Sequence, residues 1–403
     1  MTILIGIVGK PSSGKSTFLN ATCLTNAKVS ELPFTTIDPN KGIAYTKSDC
    51  VCKELDVKDN PKNSHCINGK RFIPISLLDV AGLVPDAHKG KGLGNKFLND
   101  LSKADVLIHI VDITGSLDKM GNRVKEGEND PYEDILFLEE EIDLWFKQIL
   151  EREDWNKFLK TFAREKKRFI EELSNRVSGI KVSKLQILRA LKESELVDKN
   201  PAEWSDLDLY NFSKFLRKIS KPILIAANKI DKEIGFDNLS NLKEKYKGLI
   251  FPCSALAEYY LRKYDIEGLI KYIPGSNDFE FLDKQKFNEK EIETLENIKE
   301  RILKPFNGTG VQDILDYAIF SVVNQICVYP VADINNFTDN SGNILPDAFL
   351  IQEGTTLKDF INENIHSDLA KHFIFGIDAR TKKRLGENYQ LKHNDIIKIV
   401  SAK

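Results

Sequence analysis

The sequence predicts an α/β fold in three parts: a phosphate-binding-loop domain on a parallel sheet, a helical insertion within it, and a C-terminal β-grasp sheet. Three observations carry this prediction. The apolar run Ile3 to Val8 leads into Gly9-Lys10-Pro11-Ser12-Ser13-Gly14-Lys15-Ser16 and then Thr17-Phe18-Leu19, which is strand, glycine loop and helix in order. Between the strand-like runs ending at Asp112 and Asn228 lies a charged stretch of helical period, from Glu133 to about Lys192. From Val328 onward the period changes to that of strands. The expected boundaries are 1–115 and 215–327 for the two parts of the nucleotide-type domain, 116–214 for the insertion and 328–403 for the last domain.

The first element defines a phosphate site. Backbone N–H groups of Gly9, Lys10, Pro11 (through its neighbours), Ser12, Ser13 and Gly14, with the helix start at Lys15, Ser16 and Thr17, can cradle a polyphosphate. Lys15 would reach the β- and γ-phosphates, and the Ser16 hydroxyl would sit on Mg²⁺. The second element is Leu77-Leu78-Asp79-Val80-Ala81-Gly82, behind the strand-like run Phe72 to Leu78. Asp79 can hold Mg²⁺ through water, and Gly82 can give a backbone N–H to the γ-phosphate. Between them, Thr36 in Pro33-Phe34-Thr35-Thr36-Ile37-Asp38-Pro39-Asn40 is the expected threonine that binds Mg²⁺ and senses the γ-phosphate, with Thr35 the other candidate. A plain surface loop is the competing reading of that segment.

The third element reads the base. Asn228-Lys229-Ile230-Asp231 follows the buried-strand run Pro222 to Ala227. A carboxylate at Asp231 can accept from guanine's ring N–H and exocyclic amine, a pair of donors that adenine lacks. Asn228 and Lys229 would brace the loop and pack on the base. Ser254, Ala255 and Leu256, after a short strand, would offer backbone N–H groups to the guanine carbonyl. The set specifies GTP with Mg²⁺.

Composition narrows the class. A formal net charge of −2 over 403 residues argues against a protein that coats nucleic acid by bulk charge, though not against a local basic patch. An apolar fraction of 41% supports real cores, and no run has the length of a membrane-spanning helix. The chain opens directly on a strand, so no secretion signal is expected. Six cysteines are too few for a disulfide scaffold, and a cytoplasmic location is expected.

Three longer motifs go beyond the nucleotide elements. Pro33 to Asn40, Asp79-Val80-Ala81-Gly82-Leu83-Val84 and the Gly90-x-Gly92-Leu93-Gly94-Asn95-x-Phe97-Leu98 segment together resemble the Obg-related GTPases, in particular their YchF-like branch. Cys50 to Leu55 and Arg71 to Pro74 look like its archaeal members and their eukaryotic relatives. The resemblance spans nearly the whole chain. It implies a P-loop NTPase G domain with a coiled-coil-like helical insertion and a C-terminal TGS domain, acting as a monomer. Bacterial and eukaryotic YchF proteins carry a degenerate base motif and prefer ATP. Here Asn228-Lys229-x-Asp231 is intact, so the resemblance with this departure implies GTP.

Catalysis should rest on Lys15, Thr36, Gly82 and His88. Ras-type switches place a glutamine after the Asp-x-x-Gly motif to orient the attacking water. Leu83 stands there instead, as in Obg-related proteins, and His88 in a glycine-rich segment is the nearest candidate for that task. A loop histidine without a role is the equal alternative. Relatives that use a loop asparagine to bind K⁺ match this chain at Ser12, a poorer ligand.

In the insertion, Ile135, Leu138, Ile142, Trp145 and Ile149 form a coiled-coil-like seam. A second helix from about Asp154 carries Trp155, Phe158, Phe162, Phe169 and Leu173, giving an expected helical hairpin. Lys157, Lys160, Arg164, Lys167 and Arg168 form a basic face that could meet RNA phosphate, with a solvated helix surface as the favoured reading. Residues 257–325 read as helices and loops. The C-terminal strands at 329–331, 348–351, 373–378 and 395–400, with a helix at 356–361, resemble the TGS domain, which implies RNA or ribosome contact. Arg380, Lys382, Lys383 and Arg384 form its most basic segment, a hairpin tip or a solvated turn. Cys50, Cys52, His65 and Cys66 could supply a zinc site, although the spacing is unusual and ordinary thiols near a hairpin are favoured.

Together these residues lead to a GTP-hydrolysing switch associated with the ribosome or RNA in translation. Two alternatives remain: a YchF-like ATPase, and a nucleotide-gated RNA- or ribosome-binding module with negligible hydrolysis.

Overall fold

The computed structural model describes residues 3–24, 41–80, 94–151, 154–365 and 367–402. Thr35, Thr36, Gly82, Leu83 and His88 lie outside the described residues.

The chain begins with β1 (Leu4–Val8), α1 (Lys15–Cys23), β2 (Lys41–Asp49), β3 (His65–Ile67), β4 (Lys70–Asp79), α2 (Gly94–Lys103) and β5 (Val106–Asp112). The insertion follows as α3 (Pro131–Glu151), α4 (Trp155–Phe162), α5 (Lys166–Val177), α6 (Lys184–Glu193) and α7 (Asp206–Ser220). The chain returns with β6 (Ile223–Asn228), α8 (Glu233–Lys245), β7 (Ile250–Cys253) and α9 (Ala255–Ile266). The main sheet has the order β2-β4-β1-β5-β6-β7, with β3 paired to β4. Its central pairs are parallel, and β2 and β3 run antiparallel to β4.

Strand alternation divides the core. On β1, Leu4 and Val8 face α2 and the insertion, within one apolar cluster that continues through Leu138, Phe146, Leu173 and Phe212. Ile5 and Ile7 face the other way, onto Phe18 of α1 and onto Val311 and Ile314. The insertion therefore shares its core with the nucleotide-type sheet.

This corrects the expected helical hairpin. Among the described residues the insertion holds five α-helices, and the second expected helix is broken between α4 and α5. Continuous helix would separate Phe158 from Phe169 by about 16 Å, yet their ring centroids are 5.5 Å apart. The chain turns back so that Trp155, Phe158, Phe169, Trp204 and Phe212 can bury one another. Each such side chain contributes roughly 2–3 kcal/mol when fully buried, more than a broken turn of helix costs. The break also splits the expected basic face. Lys157 and Lys160 lie on α4, Lys167 and Arg168 on α5, and Arg164 at the corner, all exposed. At the far end α7 runs to Ser220, so position 214 falls inside a helix. A buried ion pair, Arg217 Nε to Asp143 Oδ1 at 2.7 Å, ties α7 to α3.

After α9 come β8 (Ile270–Tyr272) and β9 (Phe279–Phe281), a small antiparallel pair within a stretch expected to be helices and loops. Then follow α10 (Glu289–Ile298), which runs through a widened turn into α11 (Lys304–Phe306), and α12 (Val311–Tyr317). The C-terminal sheet consists of β10 (Gln325–Val331), β11 (Phe349–Gln352), β12 (Phe373–Asp378), β13 (Arg384–Leu385) and β14 (Asp395–Ser401), in the order β11-β10-β14-β12-β13. Between β11 and β12 lie α13 (Leu357–Phe360) and α14 (Ser367–Lys371). The parallel β10–β14 pair between antiparallel neighbours, with Leu357 and Phe360 packed on the sheet, is the β-grasp arrangement.

Candidate functional site

The phosphate loop sits where parallel strands end and a helix begins. The β1–β4 register sets Ile7 beside Asp79, so Asp79 closes β4 next to the loop. Three loop residues have positive φ: Gly9 at 147°, Ser12 at 64° and Gly14 at 104°. Gly14 is doubly constrained, because a Cβ there would lie 2.2 Å from Asn228 Nδ2. That close approach lets Asn228 Nδ2 donate to Ser13 O at 2.9 Å. Lys15 Nζ donates to Gly9 O at 2.9 Å and Lys10 O at 2.7 Å, which holds the ammonium over the loop. Burial pulls the Lys15 pKa below its ordinary value, while the Asp79 carboxylate pulls it up. Ser16 is exposed at the start of α1, where a helix N-terminus favours anions. The hydroxyl of Ser16 and the carboxylate of Asp79 are hard oxygen donors on two sides of this loop, the chemistry Mg²⁺ takes.

Lys10 differs from the other loop residues. Its side chain is only 4% exposed and points away, donating to Asp134 Oδ1 at 2.5 Å and Asp118 O at 3.0 Å. Only its backbone is left to the phosphate site. Asn129 Nδ2 also donates to Asp134 Oδ1, at 3.0 Å. Asp134 is pushed up by burial and partly restored by Lys10.

The base-reading residues form a second loop. Asn228 ends β6, and its Oδ1 accepts from Ala255 N at 3.0 Å. Lys229 adopts φ 69° and sends Nζ to Asp112 Oδ2 at 2.8 Å. Asp112 is the register partner of Asn228 on β5. Its carboxylate also accepts from Thr114 Oγ1 at 2.6 Å and Ser116 Oγ at 2.7 Å. Burial opposes its ionised form, but Lys229, Thr114 and Ser116 outweigh that and hold its pKa below the ordinary value. Asp231 Oδ1 accepts from Ser254 Oγ at 2.7 Å.

One expectation changes here. Ser254 N donates to Thr309 O at 3.0 Å, and Ala255 N donates to Asn228, so both backbone donors are engaged within the protein. The Ser254 contribution is its hydroxyl, which orients Asp231 and accepts from Ala257 N at 3.3 Å as the cap of α9. Leu256 follows in the first turn of α9, with its side chain 48% exposed.

Three residues with no expected role help to build the site. Asp112 could have been found as an acid closing the strand beside Asn228. Asp134 had no signal, since its partner Lys10 lies in a different motif. Thr309 braces Ser254 from the Gly308-Thr309-Gly310 turn, and its Oγ1 donates to Glu258 Oε2 at 2.5 Å. Glu258 is fully buried and is satisfied by Arg262 and Tyr272.

Arg380 belongs to the basic segment read as either a hairpin tip or a solvated turn. It forks onto Glu54, with Nε to Oε1 at 2.6 Å and Nη2 to Oε2 at 2.8 Å. That pair ties the C-terminal sheet to the first domain and removes Arg380 from the free basic surface. Arg384 lies over the Phe375 ring at 4.4 Å. Of the four residues weighed for zinc against ordinary thiols, Cys50, Cys52 and Cys66 converge, while His65 is packed between Tyr45 and Phe72.

Comparison with known proteins gives the family. Residues 4–140 match the 50S ribosome-binding GTPase family, residues 226–333 the G4 motif-containing domain of YGR210-like Obg-like GTPases, and residues 335–401 the TGS domain. A GTP-binding protein of Methanocaldococcus jannaschii is 46% identical over 99% of both chains. The chain belongs to the YchF-like, Obg-related family. A GTP-binding protein of Schizosaccharomyces pombe is 39% identical over 88% of each chain. The family also includes a ribosome-binding ATPase, YchF of Bacillus subtilis, at 28% identity over 73% of this chain and 74% of that one. Among solved structures, a GTP-binding protein from Pyrococcus horikoshii superposes with TM-score 0.75 at 37% identity, covering 99% of this chain and 100% of the other. The match at 335–401 covers β11 to β14 of the β-grasp sheet, while β10 precedes it. No helix among the described residues is long and apolar enough to cross a membrane.

Proposed function

We propose that the protein is a Mg²⁺-dependent GTPase that works as a switch on the ribosome or on RNA. The observation that carries this reading is the carboxylate of Asp231, oriented by Ser254 Oγ at 2.7 Å on a loop that Asn228 ties directly to the phosphate loop. A carboxylate so placed pairs with the two donors on guanine's edge, and adenine would leave it unpaired. With Ala255 N engaged by Asn228, the guanine carbonyl falls to the N–H of Leu256. Lys229, anchored on Asp112, lays its aliphatic stem against the base.

At the other end Lys15 leaves the carbonyls of Gly9 and Lys10 for the β- and γ-phosphate oxygens, where its charge stabilises the transferring group. Ser16, Asp79 and Thr36 would hold Mg²⁺, which when bound neutralises phosphate charge. Gly82 would contact the γ-phosphate, and His88 would orient the attacking water. The TGS domain and the exposed lysines and arginines of α4 and α5 support an RNA or ribosomal partner. By family the protein is expected to be a cytoplasmic monomer.

Calorimetry of the Mg²⁺-loaded protein with GTP and ATP, on wild type and Asp231→Ala, tests the reading. Strong GTP preference lost in the variant supports it. Equal or better ATP binding overturns the base assignment in favour of the ATPase activity named for the Bacillus relative. Single-turnover hydrolysis separates the remaining reading. His88→Ala should slow hydrolysis with GTP affinity retained, and negligible turnover of wild type with ribosomes present would leave a nucleotide-gated binding module.

A further inference from the structure

We propose that Cys50, Cys52, Asp59 and Cys66 form a tetrahedral zinc-type metal site in the first domain, beside its contact with the C-terminal sheet. The four side chains come from three segments. Cys50 and Cys52 lie in the turn after β2, where Cys50 N donates to Gly69 O at 2.9 Å and Val57 N to Cys52 O at 3.0 Å. Asp59 follows in the connecting loop. Cys66 is the middle residue of β3, paired with Arg71 of β4.

One ligand atom from each lies within 4.8 Å of every other. Cys52 Sγ and Cys66 Sγ are 3.8 Å apart, and Cys50 Sγ is 3.3 Å from Asp59 Oδ2. A tetrahedral ion with Zn–S near 2.3 Å and Zn–O near 2.1 Å has S···S edges of about 3.8 Å and S···O edges of about 3.6 Å. The observed separations lie close to both. They do not fit a disulfide, whose sulfurs sit at about 2.05 Å, and Cys50, Cys52 and Cys66 are all free.

The surroundings fit a charged centre better than a thiol-lined core. Cys50 and Cys52 are 5% and 7% exposed. Arg71 is fully buried beside them, with Nη1 3.5 Å from Asp59 Oδ2. Its Nη2 donates to Leu345 O, while Nε and Nη1 lack a hydrogen-bond partner. Three thiolates and a carboxylate overcompensate a divalent cation, and the Arg71 guanidinium offsets part of that excess. Apolar packing alone gives no reason for a carboxylate against sulfur or for a buried, half-satisfied arginine.

His65 is excluded by strand geometry. Successive residues of β3 face opposite sides, so Cys66 in the cluster turns His65 away. Its ring stacks on Phe72 at 5.0 Å and meets Tyr45 edge-on at 4.5 Å.

The site stands at a junction. The segment carrying Asp59 continues into Asn60 N to Ile344 O at 2.8 Å, Lys62 N to Pro346 O at 2.7 Å and Asn63 Nδ2 to Ala348 O at 3.0 Å. Cys50 and Cys52 share an apolar cluster with Tyr329, Leu345 and Ile396. An ion here fixes the turn, the loop and the hairpin in the one arrangement that fits the C-terminal sheet.

The test uses the full-length chain, purified under reducing, anaerobic conditions and analysed for zinc by plasma mass spectrometry. The stripped protein is then titrated with Co²⁺ and followed by visible absorption. One metal per chain and the intense spectrum of tetrahedral thiolate cobalt are expected. Both should vanish in Cys52→Ser/Cys66→Ser and persist in His65→Gln, and Asp59→Asn should weaken Co²⁺ affinity at least tenfold. Failure of wild type to bind either ion overturns the proposal. So does metal that survives the double cysteine variant, or a Cys52–Cys66 disulfide found by mass spectrometry in place of metal. The wild-type stoichiometry decides even if the double variant does not fold.

Discussion

Replacing Asn228 by alanine cuts the strut between the phosphate loop and the base-reading loop. Asn228 is 3% exposed and serves both directions, donating to Ser13 O at 2.9 Å and accepting from Ala255 N at 3.0 Å. Ser13 and Ala255 are each 1% exposed, so the variant strands a carbonyl and an N–H in a dry place. Each stranded group costs roughly 1–3 kcal/mol. Water admitted into the space left by the amide lowers that cost in the free protein. With nucleotide bound the loops must hold a fixed separation, and about 2 kcal/mol of the loss should appear in binding, an affinity drop of about 30-fold. Calorimetry with GTP and GDP reads it. Both nucleotides should lose equally, because the strut lies between base and phosphates rather than at the γ-phosphate. Asn228→Asp keeps the acceptor for Ala255 N but sets oxygen against Ser13 O, so it should bind no better than the alanine variant. A loss below threefold for alanine, or aspartate near wild type, would refute the reasoning.

Three further outcomes are expected. Arg217→Met leaves Asp143 buried without its partner and should cost about 3–5 kcal/mol, largely regained in Asp143→Leu/Arg217→Met; all three tryptophans lie in the insertion, so urea titration by tryptophan fluorescence reports it directly. His109, 2% exposed on β5, has its pKa lowered to about 3 by burial and by the charges of Lys15 and Lys10. A histidine depressed from about 6.5 contributes stability that is fully present above that pH and lost as pH falls toward 3, at most about 5 kcal/mol, so His109→Gln should flatten the acid limb of a stability–pH profile. Gly310→Ala would put a Cβ 1.9 Å from Pro252 O at a φ of 76°; it should displace the Thr309–Ser254 brace, and calorimetry should show GTP affinity lowered about tenfold, with a lower melting temperature.

The parts of the fold legible in the sequence are those whose signal is local. Gly9 to Ser16 mark a turn that few other residues could make, and the apolar runs around Ile5, Ile108 and Ile225 can only be central strands. The C-terminal strands could be read because alternation is a short-range property. The break in the insertion is not legible locally, because nothing between Thr161 and Glu165 breaks a helix. Neither glycine nor proline stands there, and the break follows from Phe158 and Phe169 meeting in three dimensions. The β8–β9 pair did have a signal, Ile-Lys-Tyr and Phe-Glu-Phe around Pro274-Gly275, but three-residue strands carry little weight. At the thiol cluster the strand period could have set His65 aside from Cys66. Asp59 could not be found by spacing, because only the folded loop brings it to the sulfurs.

Lys10 shows how the phosphate loop is joined to the rest of the chain. Its place in the motif suggests a phosphate contact, yet its ammonium is spent on Asp134 of α3 and on Asp118 O. Both charges are about 5% exposed, and a buried pair tolerates separation poorly because each partner left behind is uncompensated. The loop that must adapt to phosphate is thus fixed through its second residue to the first helix of the insertion, while Asn228 fixes its fifth residue to the base-reading strand. Both constraints act on the part of the loop that precedes Lys15. A displacement of the loop upon phosphate binding or release has to be accommodated by α3, by β6, or by both. Because α3 and α7 are themselves joined by Asp143 and Arg217, any displacement that α3 accepts bears on a helix pair rather than on a single helix.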